Sequence, residues 1–242
     1  MRAIQITEFG RPEDVLHVID APEPPSPGPS EVRVAVEFSP LFVSGALLRP
    51  PLPLIPGNEG VARIIEVGQG VDTVAVGDLV VVPLFAGAWR EQLLLPAEGL
   101  FRLPHGSAEQ FSMLGSNPPT AGLILSEFAG LKPGDWIVQN AANSGVGRSL
   151  IALAKARGFR TINLARDESV LADLTTAGAD IVHLDDATAA EDARKRSALP
   201  GSRSLSTRWV APPGPACLTC CLTAVRSSAM RRRPGSQYLS AN

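Results

Sequence analysis

Hydrophobic and polar positions alternate along much of the first hundred residues. The run 32–38 alternates with a period of two, and β-branched runs at 61–67 and 79–83 are bounded by glycine or proline. Such a period buries one face of a strand. Turn residues separate these runs, and a further strand is predicted over 89–95. The pattern predicts an antiparallel β region whose many short strands suggest a small barrel.

The hydrophobic period changes near residue 115. Asn117 stands directly before two prolines. Asn is a common helix cap and proline suits the first helical position, so a helix capped by Asn117 is predicted to run to about residue 129. Further on, strands are predicted at 136–139, 161–165 and 180–184, with helices at 146–157 and 169–177 between them. This β-α-β-α-β order predicts an α/β fold with the first half of a doubly wound parallel sheet.

Composition places the chain among globular proteins. It has 242 residues, 45% of them hydrophobic and 19% charged, with a formal net charge of -2. These values suit one or two cores and exclude fibrous or wholly disordered chains. No apolar run approaches the roughly 20 residues of a membrane-spanning helix, and the N-terminal pattern is that of a strand, not of a signal or transit peptide. We expect a cytoplasmic protein with no membrane partner.

The distribution of charge divides the chain. All 24 acidic residues lie at or before Asp192, whereas 9 of the 22 basic residues follow it, so the last 50 residues carry +9. We predict domains at 1–114 and 115–192 and a basic, poorly ordered tail at 193–242. A shifted reading frame from about residue 195 would explain the tail. The alternative is an extension that binds a polyanion, but no aromatic or repeat pattern accompanies the charge, so nucleic acid is not the favoured partner.

A candidate phosphate-binding turn follows the predicted strand 136–139. In the run Gln-Asn-Ala-Ala-Asn-Ser-Gly-Val-Gly at 139–147, N–H groups at a helix start favour an anion, and small residues let a pyrophosphate approach the backbone. Ala142 and Ser144 stand where the G-x-G-x-x-G motif has its first two glycines. The run therefore predicts either a phosphate site or a tight helix-sheet turn.

The end of the next predicted strand bears on the choice of cofactor. An acidic residue there accepts from a ribose 2′-hydroxyl, whereas an arginine pairs with a 2′-phosphate. Arg166 follows the apolar Ala165, which favours NADPH, and such a charge-assisted pair contributes roughly 1.5–3 kcal/mol. The alternative is that Arg166 is a solvated surface charge. The three histidines are scattered and no metal site is expected.

Six segments together resemble the zinc-independent medium-chain dehydrogenase/reductase family, and within it the NADPH-dependent enoyl-thioester reductases, often labelled quinone oxidoreductase-like. The segments are 56–60, 87–91, 117–121, 131–136, 139–148 and 161–167. The resemblance covers roughly residues 1–190. The resemblance implies a GroES-like N-terminal β barrel, a truncated Rossmann-like domain and, in the family, a homodimer. Zinc-dependent relatives have His at the position of Asn58, in keeping with no metal here.

The activity implied by the resemblance is hydride transfer from NADPH to the β-carbon of a trans-2-enoyl thioester on coenzyme A or acyl carrier protein, with protonation of the α-carbon; a quinone is the alternative substrate. Trp89 and Thr120 are assigned to the substrate, although core packing explains Trp89 equally well. The residues predicted to bind the cofactor are Asn117, Asn143, Ser144, Gly145, Val146, Gly147, Arg166 and Asp167.

Two departures from the family predict weak or absent catalysis with NADPH binding retained. The family's substrate tyrosine has no counterpart, and an ungapped count from Asn58 places Ala46 there. Loss of a positioned proton donor costs about 10²- to 10⁴-fold in rate, and no residue is assigned to catalysis. The chain also stops short of the family's length, which predicts an open edge on the parallel sheet.

Overall fold

Two compact units make up the protein. The computed structural model describes residues 1–41, 51–127, 131–186, 188 and 189, and the backbone of 223–225. The first unit comprises Met1–Thr120 and the second begins at Ala121. Antiparallel sheets form the first unit, and helices alternate with parallel strands in the second. The predicted α/β class is confirmed.

The first unit contains a hairpin and a four-stranded sheet. In the hairpin, β1 (Arg2–Ile6) pairs with β2 (Leu16–Asp20), and the short helix α1 (Pro12–Val15) joins them. The sheet is formed by β3 (Glu31–Phe38), β4 (Gly60–Val67), β5 (Leu79–Val82) and β6 (Gln92–Pro96). Its order is β5-β4-β3-β6, all antiparallel. A short helix, α2 (Ala108–Phe111), follows.

The core of the first unit uses alternate residues of these strands. Val32 and Val34 of β3, Ile64 of β4 and Val80 and Val82 of β5 are almost fully buried together. Burial of each such side chain stabilises the fold by roughly 1.5–3 kcal/mol. The strand predicted from the period of two over 32–38 and the strands predicted from the β-branched runs at 61–67 and 79–83 are therefore confirmed.

The strand predicted over 89–95 is shorter than expected, because β6 begins at Gln92. The backbone of Trp89 is engaged elsewhere. Its N–H donates to the carbonyl of Pro56 at 3.0 Å, and its carbonyl accepts from the N–H of Ile4 at 2.9 Å. Trp89 thus lies in the loop before the strand.

The second unit contains the predicted β-α-β-α-β arrangement. The parallel strands are β7 (Trp136–Gln139), β8 (Arg160–Ala165) and β9 (Ile181–Leu184), in that order. The helices are α3 (Asn117–Glu127), which begins in the first unit, α4 (Gly145–Ala156) and α5 (Leu171–Thr176), the last preceded by a 3-10 turn at Glu168–Val170. No helix of the described residues is long and apolar enough to span a membrane.

Helix α4 covers one face of this sheet. Ser144 caps its start, and Gly158, with φ of 75°, follows its end. Its buried residues Leu150 and Ala154 pack with Ile137 of β7. This packing places the N-terminus of α4 at the carboxyl end of β7.

Two expectations differ from the structure. The outer edge of β7, expected to be open, pairs antiparallel with a short strand, β10 (Thr223–Val225), which comes from the segment expected to be poorly ordered. The rest of the basic tail lies outside the described residues. Asn117 was predicted to cap its helix but is the first residue of α3, where Ser116 supplies the first carbonyl by accepting from the N–H of Thr120 at 3.1 Å. The expected end of this helix near residue 129 lies outside the described residues.

Candidate functional site

The predicted phosphate turn connects β7 to α4. Ser144 has extended backbone angles, and its hydroxyl accepts from the N–H of Gly147 at 3.1 Å. The N–H of Ser144 itself donates to the carbonyl of Ala141 at 2.9 Å. The N–H groups of Gly145 and Val146 donate to no acceptor among the described residues. Two donors at a positive helix end therefore remain available to an anion.

Gly147 brings this helix close to the strand. A Cβ atom at Gly147 would lie 2.6 Å from the carbonyl oxygen of Ala142 and 2.8 Å from that of Ala141. No side chain fits there. Gly147 is the third glycine of the G-x-G-x-x-G pattern, whose role is this close helix-strand packing. Asn143 is exposed on the outside of the turn.

A row of buried polar side chains lies under the turn, and sequence reasoning missed it. Gln139 and Asn163 have no exposed surface and Thr161 is 1% exposed. They connect β7 to β8, and Asp180, next to β9, accepts from the N–H of Thr161 at 2.8 Å. The available signal was the presence of polar residues inside two otherwise apolar strands.

Arg166 lies at the same edge of the sheet as the turn. The N–H of Ala142 donates to the carbonyl of Leu164 at 3.1 Å, which ties the turn to the end of β8. Arg166 directly follows β8, is exposed, and forms no ion pair with a described residue. The carboxylate of the neighbouring Asp167 accepts a hydrogen bond from the N–H of Ser169 at 2.9 Å. Hydrogen bonding by the side chain of Ser169 first, and by its backbone N–H second, lowers the pKa of Asp167.

Asn117 and Thr120 lie in the first turn of α3. Asn117 is half-buried, and its side chain forms no hydrogen bond with a described residue. The hydroxyl of Thr120 donates to the carbonyl of Ser116 at 2.7 Å. The amide of Asn117 is therefore available for a ligand, whereas the donor of Thr120 is already used.

Glu59 is a buried carboxyl group that sequence reasoning did not select. Its side chain is 1% exposed, and neither carboxylate oxygen forms a hydrogen bond of normal geometry with a described residue. Burial raises the pKa of Glu59, and the nearby N–H groups of Ser116 and Gly115 lower it only in part. The group thus faces the turn that leads into Asn117.

Trp89 packs on Gly57 in the first unit. Gly57 has φ of 107°, and a Cβ there would lie 2.8 Å from Cδ1 of the Trp89 ring. Trp89 is half-buried. Both readings of this residue, substrate contact and core packing, agree with that contact, so its role stays a prediction.

Two further expectations from the sequence concern a metal site, which was not expected, and the family's tyrosine, whose position was assigned to Ala46. No group of three potential metal ligands occurs among the residues that the structure describes. Ala46 and its neighbours, where the family tyrosine was sought, lie outside those residues. The missing counterpart of that tyrosine therefore stays a prediction from the sequence.

Comparison with known proteins finds relatives over most of the chain. Residues 29–105 match the family model of the alcohol dehydrogenase GroES-like domain. The mitochondrial enoyl-[acyl-carrier-protein] reductase of Bos taurus is 38% identical over 184 residues, which are 72% of this chain and 49% of that protein. The chain spans about half the length of the curated relatives it matches.

Two solved structures extend the comparison. The Escherichia coli quinone oxidoreductase in complex with NADPH has a TM-score of 0.69 and 26% identity, covering 81% of this chain and 62% of that one. An NAD-dependent alcohol dehydrogenase has a TM-score of 0.71 and 30% identity, covering 81% of this chain and 67% of that one. The predicted GroES-like and parallel-sheet architecture and the resemblance to enoyl and quinone reductases are confirmed.

Proposed function

The chain belongs to the medium-chain dehydrogenase/reductase family, and from this premise we propose that it is an NADPH-dependent reductase of 2-enoyl thioesters. A quinone is the alternative substrate. Both classes occur among its relatives, as an enoyl-[acyl-carrier-protein] reductase and a quinone oxidoreductase.

The observation that supports the cofactor most directly is the pairing of two features at one sheet edge. The N–H groups of Gly145 and Val146 are free donors at a helix N-terminus, and Arg166 is an exposed cation with no described carboxylate partner. The first suits a pyrophosphate and the second a 2′-phosphate. The carboxylate of Asp167 accepts from the N–H of Ser169 and forms no ion pair with Arg166.

In this proposal three groups of residues bind and orient different parts of NADPH. The turn from Asn143 to Gly147 holds the pyrophosphate, Arg166 the 2′-phosphate, and the free amide of Asn117 the nicotinamide end. Bound NADPH supplies the hydride. Trp89 and Thr120 contact the substrate. Since the sequence has Ala46 where the family's tyrosine is expected as proton donor, we propose slow turnover with cofactor binding retained.

The first experiment is a fluorescence titration of the full chain with NADPH and with NADH. Loss of a charge-assisted pair of roughly 1.5–3 kcal/mol corresponds to about 10- to 150-fold in affinity. We expect NADPH to bind tighter by that factor, and Arg166→Ala to remove the difference without changing NADH affinity. Equal affinities in the wild type contradict the proposed role of Arg166, and no binding of either nucleotide contradicts the cofactor proposal.

The substrate is tested by following NADPH oxidation. Crotonyl-CoA and benzoquinone serve as the two acceptors. Slow oxidation with crotonyl-CoA supports the enoyl-thioester reductase, and oxidation with benzoquinone alone supports the alternative. If NADPH binds and neither acceptor is reduced, the chain is an inactive cofactor-binding relative.

A polyanion-binding tail is the second candidate, favoured by the +9 charge after Asp192. Salt-dependent retention on DNA that is lost when residues 193–242 are removed supports it, and unchanged retention refutes it.

We also propose a cytoplasmic location, tested by cell fractionation, and the homodimer that the family suggests, tested by light scattering.

A further inference from the structure

We propose that Gln139 is a positioning residue for the phosphate turn, acting through Gly147; this inference rests on the proposed cofactor site. Gln139 is the last residue of β7 and is fully buried. Its Nε2 donates to the carbonyl oxygen of Gly147 at 3.1 Å. A side chain of the strand therefore holds the first turn of α4 directly.

Gly147 is fixed at three points. Its carbonyl accepts from Gln139, its N–H donates to the hydroxyl of Ser144 at 3.1 Å, and its Cα lies against the carbonyl of Ala142. The free N–H groups of Gly145 and Val146 precede it in the same helical turn. Because Gly147 cannot shift without breaking one of these contacts, the direction of both donors is set before a ligand arrives, which is the condition for tight binding.

The orientation of the Gln139 amide is itself determined by its neighbours. Asn163 donates from Nδ2 to the carbonyl of Ile181 at 3.1 Å and to the hydroxyl of Thr161 at 2.9 Å. A carbonyl only accepts, so the amide nitrogen of Asn163 must face Ile181 and its Oδ1 must face Gln139. That oxygen accepts from Nε2 of Gln139 at 2.7 Å. The carbonyl of Gly147 requires the nitrogen of the Gln139 amide to face it. The carbonyl of Ile181, acting through Asn163, independently requires the same orientation of that amide.

Stability alone does not account for this arrangement. Oε1 of Gln139 is buried and has no hydrogen-bond partner among the described residues. A buried acceptor without a partner is destabilising, and an apolar side chain of similar shape would avoid that penalty. An apolar side chain would lack the Nε2 donor of Gln139, and this donor binds the carbonyl of Gly147 in the phosphate turn.

The test replaces Gln139 with methionine, which keeps the length and removes both donors. Loss of one such hydrogen bond corresponds to roughly five- to ten-fold, and we expect Gln139→Met to bind NADPH weaker by that factor. The affinity for 2′-AMP should not change, since 2′-AMP carries the 2′-phosphate and no pyrophosphate. Hydrogen exchange should become faster in a peptide covering 140–149 and not in one covering 117–127.

The matched control is Thr161→Val, which removes a hydroxyl from the same row and leaves both bonds of Gln139. We expect its NADPH affinity to stay within about two-fold of the wild type. Unchanged NADPH affinity and exchange in Gln139→Met overturn the proposal, and so does an equal loss for NADPH and 2′-AMP, which indicates general loosening.

Two further outcomes separate this inference from the proposed function. If the wild type binds no NADPH, the cofactor proposal fails, while faster exchange at 140–149 in Gln139→Met still supports the positioning role. If Gln139→Met does not fold, the side-chain NH₂ signals of Gln139 in the wild-type NMR spectrum decide. Slow solvent exchange and a shift on NADPH addition support the proposal, and fast exchange or no shift overturns it.

Discussion

Gly147→Ala should destabilise the second unit even though alanine is the better helix former. The gain in helix propensity within α4 is roughly 0.5–1 kcal/mol. Against it, the new methyl group would lie 2.6 Å from the carbonyl oxygen of Ala142 and 2.8 Å from that of Ala141. Overpacking of this kind costs typically about 1–3 kcal/mol, and backbone atoms cannot move aside as a flexible side chain does. Because the obstructing atoms are backbone, we expect the upper part of that cost and a net loss of about 1–2.5 kcal/mol.

The matched control is Gly122→Ala in α3, where a Cβ meets no atom within 4 Å. The same substitution should there stabilise the unit by roughly 0.5–1 kcal/mol. Thermal unfolding followed by circular dichroism measures both, and 1 kcal/mol moves the midpoint by about 4–8 °C in a unit of this size. The two midpoints should move in opposite directions. A midpoint for Gly147→Ala at or above that of the wild type would refute the close approach of α4 to the turn.

Three further predictions concern stability. The raised pKa of Glu59 means that the folded state holds this proton more strongly, so stability should fall as pH rises above the usual value of 4.5; Glu59→Gln should flatten that part of the profile, measured as urea midpoints against pH. The lowered pKa of Asp167 has the opposite effect on stability: the ionised carboxylate stabilises the fold above the usual 3.8, and this stabilisation is lost as pH falls through the lower folded value. The stability of the wild type relative to Asp167→Asn, again from urea midpoints, should therefore be smaller at about pH 3 than at about pH 6. Leu150→Ala should cost about 2–5 kcal/mol in urea unfolding, because Leu150 of α4 is fully buried against Ile137 of β7, and a cost below about 1 kcal/mol would contradict that packing.

Local pattern was sufficient for most of the fold. The period of two predicted β3, and β-branched runs between turn residues predicted β4 and β5. The change of period near residue 115 predicted the three parallel strands with their helices. These patterns predict the elements correctly because each element buries one face, and the buried face sets which residues of the run are apolar. The candidate turn at 139–147 was also predictable, since small residues at a strand-helix junction are a local feature.

Contacts between distant residues decided the rest. Trp89 was predicted to start a strand, but its backbone bonds to Pro56 and to Ile4 of β1 instead of to β3, so β6 starts later. Asn117 looked like a cap, but the turn before it supplies the first carbonyl from Ser116. In both cases the residue type permitted two conformations, and the choice depended on partners far along the chain or outside the local motif.

The sequence by itself determined the α/β class, the succession of strands and helices along the chain and the position of the candidate turn at 139–147, because periodicity and turn chemistry are properties of neighbouring residues. Only the tertiary structure decided that Gln139, Asn163 and Thr161 form one hydrogen-bonded row, that Gly147 has no room for a methyl group, and that Glu59 is buried. Those features depend on distances between strands and helices, which no run of consecutive residues specifies.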